Sequence, residues 1–290
     1  MSELLQFTLS GLTIGAIYAL VAIGFTLIYN ASGVINFAQG EFVMLGGMTT
    51  VFLGLAGMPL ALAGCLAVAA TVVVGLALHR FAIEPARTAG PVVLIIITIG
   101  ASIFLRGSAQ VLFDKRFHSL PHWFGSDPIH VGNATILPQT LVVLAGTLAI
   151  LALLWLFIDR TLIGKAVAAT AANPLAARLV GINTRAIVGL AFAISAGMGA
   201  VAGVLVTPLT LTSYDAGTLL ALKGFAAAML GGIGSAFGAV LGGILLGLFE
   251  ALAAGYLSSQ YKDAVAFIVI LLVLFAMPHG LFGKAPVERV

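Results

Sequence analysis

The chain has 290 residues, of which 61% are hydrophobic and only 8% charged, with a mean hydropathy of +1.18. A soluble domain carries about a quarter charged residues, so this chain cannot clothe a surface that faces water and reads as an integral membrane protein. The net charge of +3 adds no partner class, because the Lys and Arg residues form no dense patch and a nucleic-acid role has no support.

The N-terminus, MSELLQF, has no positive n-region and no small-residue cleavage site, so it reads as the start of the first span and not as a signal peptide. Apolar runs near the roughly 20 residues that a helix needs to cross the hydrocarbon fall at 4–29, 37–55, 60–78, 91–112, 138–157, 186–207, 218–231, 236–256 and 263–279. The seventh run is short and enters the membrane with or without crossing it. The expected fold is therefore an all-α polytopic helical bundle of about eight to nine spans, forming a single permease-like domain over 1–290. The short alternating segments of an outer-membrane barrel are absent from the sequence. Cys65 lies in an apolar run and has no intrachain partner, so it does not report a redox compartment.

Orientation follows from Lys and Arg. With nine crossings, Arg80, Arg87, Arg160, Lys165, Arg178, Arg185, Lys284 and Arg289 fall on one side, and Lys115, Arg116 and Lys262 on the other. The richer side is expected to be the cytoplasm, with the N-terminus outside and the C-terminus inside. A weak internal repeat accompanies this pattern: EFVMLGGM at 41–48 resembles AAAMLGGI at 226–233, each after a long span and a polar break. In this topology the two segments run in opposite directions, as in an inverted repeat whose halves meet near mid-membrane. Glycines spaced by four, at Gly11/Gly15, Gly199/Gly203 and Gly234/Gly238/Gly242, read as close-packing strips between helices.

The segment 158–185, IDRTLIGKAVAATAANPLAARLVGINTR, is a long polar interruption. Inside it a short helix is marked at both ends. Asn173 is a good N-cap, Pro174 suits the first helical position, and Gly181 supplies a left-handed stop. A compact capped helix exceeds what a turn requires, and it reads as a handle gripped by a cytoplasmic partner.

No catalytic set appears in the sequence. Gly164-Lys165 lacks the upstream glycine and the following hydroxyl of a phosphate-binding loop, so the chain is not expected to hydrolyse ATP itself. His118 and His122 are separated by Pro121, which breaks a helix that would put them on one face, and no metal site is expected. Glu41, Arg106, Lys223 and Glu250 are charges at membrane depth. Arg106 and Glu250 read as span-end residues that reach the interface. Asn36, Gln39 and Glu41, in NFAQGEF, and Lys223 read as candidates for the translocation path, one carboxylate and one ammonium for a zwitterion. The loop 113–137 reads either as a docking surface anchored by Trp123 and Phe124 or as a cap on the bundle.

These blocks resemble a family. The run LAARLVG at 175–181 resembles the EAA-x-x-x-G loop of ABC importer permeases, with Leu175 where the motif has Glu. The wider pattern is similar to the LivH-type branched-chain amino-acid permeases: IYALVAIGFTLIYNASGVINFAQGEFVMLGG at 17–47, GKAVAATAANPLAARLVGIN, KGFAAAMLGGIGSAFGAVLGGILLG at 223–247, and PHGLFGK near the end. The resemblance implies a type II ABC importer-like fold in a bacterial inner membrane. It implies that Asn173, Pro174, Leu175, Ala176, Ala177, Arg178 and Gly181 form an ATPase-coupling helix. The implied partners are a second permease subunit (LivM-like, or the same chain), two cytoplasmic ATPase subunits that bind the ATP, and an external substrate-binding protein; no cofactor of the chain's own is implied. The substrate expected is a branched-chain amino acid, with urea, amides or aromatic acids as alternatives. A gradient-driven secondary carrier is a second class; a membrane-embedded enzyme lacks its acid–base or metal set.

Overall fold

The computed structural model describes residues 2–125, 127–131 and 134–283; Lys284 and Arg289, used above for orientation, lie outside the described residues. The long apolar runs form helices because in hydrocarbon every backbone N–H and C=O must find its partner within the segment. Six helices among the described residues are long and apolar enough to cross a membrane. They are α1 (Ser2–Ser32), α3 (Leu60–Leu78, prolonged by one π turn, His79–Ile83), α4 (Pro91–Phe113), α5 (Pro138–Arg160), α8 (Thr184–Val206) and α10 (Ala236–Tyr256). Three expected spans are shorter helices: α2 (Gln39–Leu55), α9 (Ala216–Gly231) and α11 (Lys262–Ala276), of 17, 16 and 15 residues. The remaining elements are α6 (Leu162–Ala172), α7 (Pro174–Leu179) and a small antiparallel hairpin, β1 (Ile129–Val131) with β2 (Ala134–Ile136).

The core is the middle of α1 with α2, α8, α9 and α10 around it. Ile17, Leu20, Val21, Phe25 and Ile28 of α1 are buried, as are Phe42 of α2, Phe192 of α8 and Leu246 of α10. α4 and α5 form the rim and present Ile96, Ile103, Phe104, Leu148 and Trp155 outward, as expected of lipid-facing helices.

Glycine sets the closest contacts. Gly11 and Gly15 lie on Leu248 and Ile244 of the antiparallel α10, while Gly199 and Gly203 of α8 lie on Phe42, Val43 and Gly47 of α2. The expected strips are thus packing surfaces, except that Gly234 stands in a turn with φ +94°.

The two halves exchange partners. α1 packs on α10 as α8 packs on α3, and α2 packs on α8 as α9 packs on α1. α1 begins at the hairpin, where Gln6 Oε1 accepts from the Thr135 N–H at 2.9 Å, and ends beside α7. α8 begins beside α7 and ends at a bridge between Thr212 and His118. Corresponding helices therefore run in opposite directions, as an inverted repeat requires. The expected register needs correction. The MLGG of α2 lies within its first half, whereas the MLGG of 229–232 ends α9, with Gly232 as its cap. The helix starts correspond instead: α2 and α9 cross at Gly40 and Gly217, where backbone touches backbone. A match of four small or flexible residues is a weaker guide to register than the glycine pair that must lie at a crossing.

Candidate functional site

The polar segment 158–185 closes one end of the bundle. Thr161 caps α6 by accepting from the Gly164 N–H at 2.9 Å, so this segment holds two helices where the sequence pointed to one. Asn173 then caps α7, its Oδ1 accepting from the N–H groups of Leu175 and Ala176, both at 3.0 Å. Gly181 has φ +89°. Its N–H donates to the Arg178 carbonyl at 3.0 Å, and the Ile182 N–H donates to the Ala177 carbonyl at 2.9 Å. These two bonds form a Schellman stop, which needs a residue that tolerates the left-handed region. Ala177 is the buried face of α7; Leu175, Leu179 and Val180 are exposed, Leu179 to 82%. The position where the resembling motif carries Glu is therefore exposed.

Beside α7 lies a cleft of about 440 Å³ between the end of α1, the π turn and the start of α8. Glu84 is its hub. It accepts from Arg87 Nη1 at 2.9 Å and pairs with Arg185 Nε at 3.2 Å. Arg178 Nε donates to Thr184 Oγ1 at 2.8 Å, which ties α7 to the first turn of α8. A π turn inside a helix often marks a functional position, and here it delivers Glu84 to the base of α8.

The four residues expected on a path separate into two groups. Asn36, Gln39 and Glu41 are all buried, Gln39 where α1, α2 and α8 meet and Glu41 between α2, α4 and the start of α9. Gln39 is engaged at both amide atoms: its Nε2 donates to the Ser195 carbonyl at 3.2 Å, and its Oε1 accepts from Ser195 Oγ at 2.6 Å. Asn36 Oδ1 accepts from the Ala38 N–H at 3.1 Å. Glu41 Oε1 accepts from Ser102 Oγ at 2.9 Å, and its other oxygen is buried without a hydrogen bond.

Lys223 does not face Glu41. Its Nζ lies 2.9 Å from Glu250 Oε1 and 2.7 Å from Asp263 Oδ1, the second contact being an ion pair without hydrogen-bond alignment. Tyr18 donates to Glu250 Oε2 at 2.7 Å, and Lys262 adds a third contact at 3.4 Å. Glu250 is 2% exposed, so the expectation that it reaches the interface is overturned. Sequence spacing could not reveal this, because its partners come from α1, α9 and α11. Arg106, read as another span-end residue, donates to Thr218 Oγ1 at 3.0 Å and so joins α4 to α9.

The opposite end carries the loop 113–137. Asp114, at φ 81°, accepts from the Arg116 N–H at 2.7 Å and from His118 Nε2 at 3.0 Å. Those bonds hold its carboxyl below the usual range, the Arg116 N–H contributing most. His118 is thus engaged by a carboxylate that the spacing argument did not count. Of the two expected anchors, Phe124 is exposed, whereas the Trp123 N–H donates to Gln139 Oε1 at 3.3 Å and its indole nitrogen is buried.

Comparison with known proteins gives one consistent result. A family model described as branched-chain amino acid transport system / permease component matches residues 7–274. The high-affinity branched-chain amino acid transport system permease protein LivH of Escherichia coli (strain K12) is 38% identical, over 99% of this chain and 97% of that protein. The corresponding BraD protein of Pseudomonas aeruginosa is 36% identical, over 99% and 98%. The solved structure of PsaBC from Streptococcus pneumoniae in complex with Fab superposes with a TM-score of 0.52 over 94% of this chain and 92% of that one, at 14% identity, a likeness of fold alone.

Proposed function

The chain belongs to the branched-chain amino acid transport permease family and is a multi-pass inner-membrane protein, and from that premise we propose that it is the membrane subunit of an ATP-driven importer in which α7 is the energy-coupling element. The observation that carries this reading is the doubly capped helix with Leu175, Leu179 and Val180 turned outward. An apolar face of this kind on a rigid stub suits burial against a partner. The sequence has no phosphate-binding loop of its own, so ATP is bound by two cytoplasmic subunits that press on this face. A second permease subunit completes the pathway, and an external binding protein delivers the amino acid at the hairpin end.

Alternating helix directions support nine crossings, with α2 and α9 as short members that meet near the middle, in a type II importer-like bundle. The α6–α7 end is cytoplasmic in this reading, as the Lys and Arg distribution favours. Motion of α7 passes through the Arg178–Thr184 bond to α8 and through Arg185 and Glu84 to α3. Gln39, with Asn36 beside it in sequence, forms the joint around which α1, α2 and α8 move, and Glu41 joins α2 to α4 and α9; Lys223 stands on the path.

The test is ATP-driven leucine uptake by the assembled transporter in vesicles. Gly181→Pro removes the left-handed stop and an N–H donor, and uptake should fall to background while the complex still assembles. Ala176→Glu places a charge on the exposed face without touching the buried Ala177, and it should weaken ATPase docking. Normal uptake by both variants would overturn the coupling role. Competition by leucine, urea and benzoate reads the substrate; indifference to leucine would remove the branched-chain assignment.

A further inference from the structure

A second cavity, of about 460 Å³, opens at the end of the bundle remote from α7, between α1, the start of α9 and the ends of α8 and α10. Its size falls within the range of small-ligand sites. One wall is apolar, built by Ile17, Val206 and Leu220. The rest brings together charges of both signs: Asp215 just ahead of α9, Lys223 within it, and Lys262 at the head of α11.

The charges differ in how far they are engaged. Glu250, which also lines the cavity, is occupied by Tyr18 and Lys223. Asp215 accepts from Ser213 Oγ at 2.6 Å, and among the described residues no cationic side chain lies within ion-pair distance of it. The Lys262 side chain is 40% exposed and makes, among the described residues, only a long ionic contact, at 3.4 Å, with Glu250. The cavity thus presents one carboxylate open to an ammonium and one ammonium open to a carboxylate, beside an apolar wall. Lys223 is held both by Glu250 and by Asp263, the latter 2.7 Å away, which leaves Asp215 and Lys262 as the two open charges, so a ligand that carries a single charge would leave one of them without a partner. A neutral zwitterion with a branched apolar side chain would not.

We propose that this cavity is a substrate-recognition site within the permease itself, in which Asp215 takes the α-ammonium, Lys262 takes the carboxylate, and Ile17, Val206 and Leu220 receive the side chain. The site rests on the reading of the chain as an amino-acid permease and adds selectivity to it: the permease checks for a zwitterion before passage.

The experiment is thiol protection in the assembled transporter. Leu219 lines the cavity and is 58% exposed. Leu219→Cys is introduced with Cys65→Ser and labelled by a water-soluble maleimide, with leucine, leucinamide or 4-methylpentanoate present. Leucine is expected to slow labelling, and the two singly charged analogues to leave it unchanged. Asp215→Asn should raise the leucine concentration for half-protection about tenfold, the loss of one charged hydrogen bond. Lys262→Gln should act in the same direction. Equal protection by 4-methylpentanoate, or a half-protection unmoved by Asp215→Asn, overturns the zwitterion site. Leucine uptake by the same vesicles separates the two levels. Uptake without protection overturns the site and leaves the permease reading standing; neither uptake nor protection overturns both.

Discussion

Glu250 shows how a single residue's role depends on neighbours far along the chain. Near the end of an apolar run it looks like a carboxylate that leans into the interface; folded, it is enclosed by Tyr18, Lys223 and Lys262. Removing one partner of a buried ion pair strands the other. Glu250→Ala should therefore destabilise the purified protein by about 3 kcal/mol, at the lower end of the range for broken buried pairs because Asp263 still faces Lys223. The double variant Lys223→Met/Glu250→Met should recover much of that loss, measured as the thermal midpoint in detergent. Asn173 is a smaller case. Asn173→Ala deletes the acceptor for two N–H groups and should cost about 1 kcal/mol, seen as faster hydrogen exchange confined to α7. At the other end, the folded Asp114 carboxyl titrates below its unfolded value, so its stabilising bonds are complete above the ordinary carboxylate range. They are lost as pH falls through the lowered value. Exchange at residues 114–118 should rise in acid, and less so in Asp114→Ser.

At the scale of elements, local chemistry is most legible where it is self-contained. α7 was readable because its cap, its first-turn proline and its stop are neighbours in sequence. α6 was equally local, with Thr161 three residues ahead of Gly164, but its alanine-rich run has no apolar stripe to announce it. The crossing of α2 and α9 was not readable. A Cβ at Gly217 would stand 2.5 Å from the Gly40 carbonyl oxygen and 2.9 Å from Glu41 Oε2, contacts that ordinary side chains do not make. Gly217→Ala should cost about 1–3 kcal/mol by overpacking and depress uptake. Ala at Gly54, where a Cβ meets nothing, is the control and should leave both unchanged.

At the scale of the molecule, the inverted repeat makes the two ends of the helical scaffold alike, and the connecting segments make them different. One end carries the rigid stub and the Glu84 hub; the other carries the hairpin, the Asp114–His118 loop and the zwitterion-matched cavity. A chain built this way should transport nothing by itself. Vesicles holding it alone, under an imposed proton or sodium gradient, should accumulate no leucine, and gradient-driven uptake would favour a secondary carrier. Composition, apolar run length, caps and motif order are all local along the chain, and they were enough for the membrane class, the long helical segments, the capped stub and the family. Which charges neutralise one another, in what register the halves cross, and the separation of Glu41 from Lys223 emerge only when the helices pack. In a bundle of near-uniform hydrophobicity, contacts between helices are chosen by a few glycines and polar groups whose partners lie far along the chain, Tyr18 and Glu250 being 232 residues apart, and no pattern along the chain encodes such a distance.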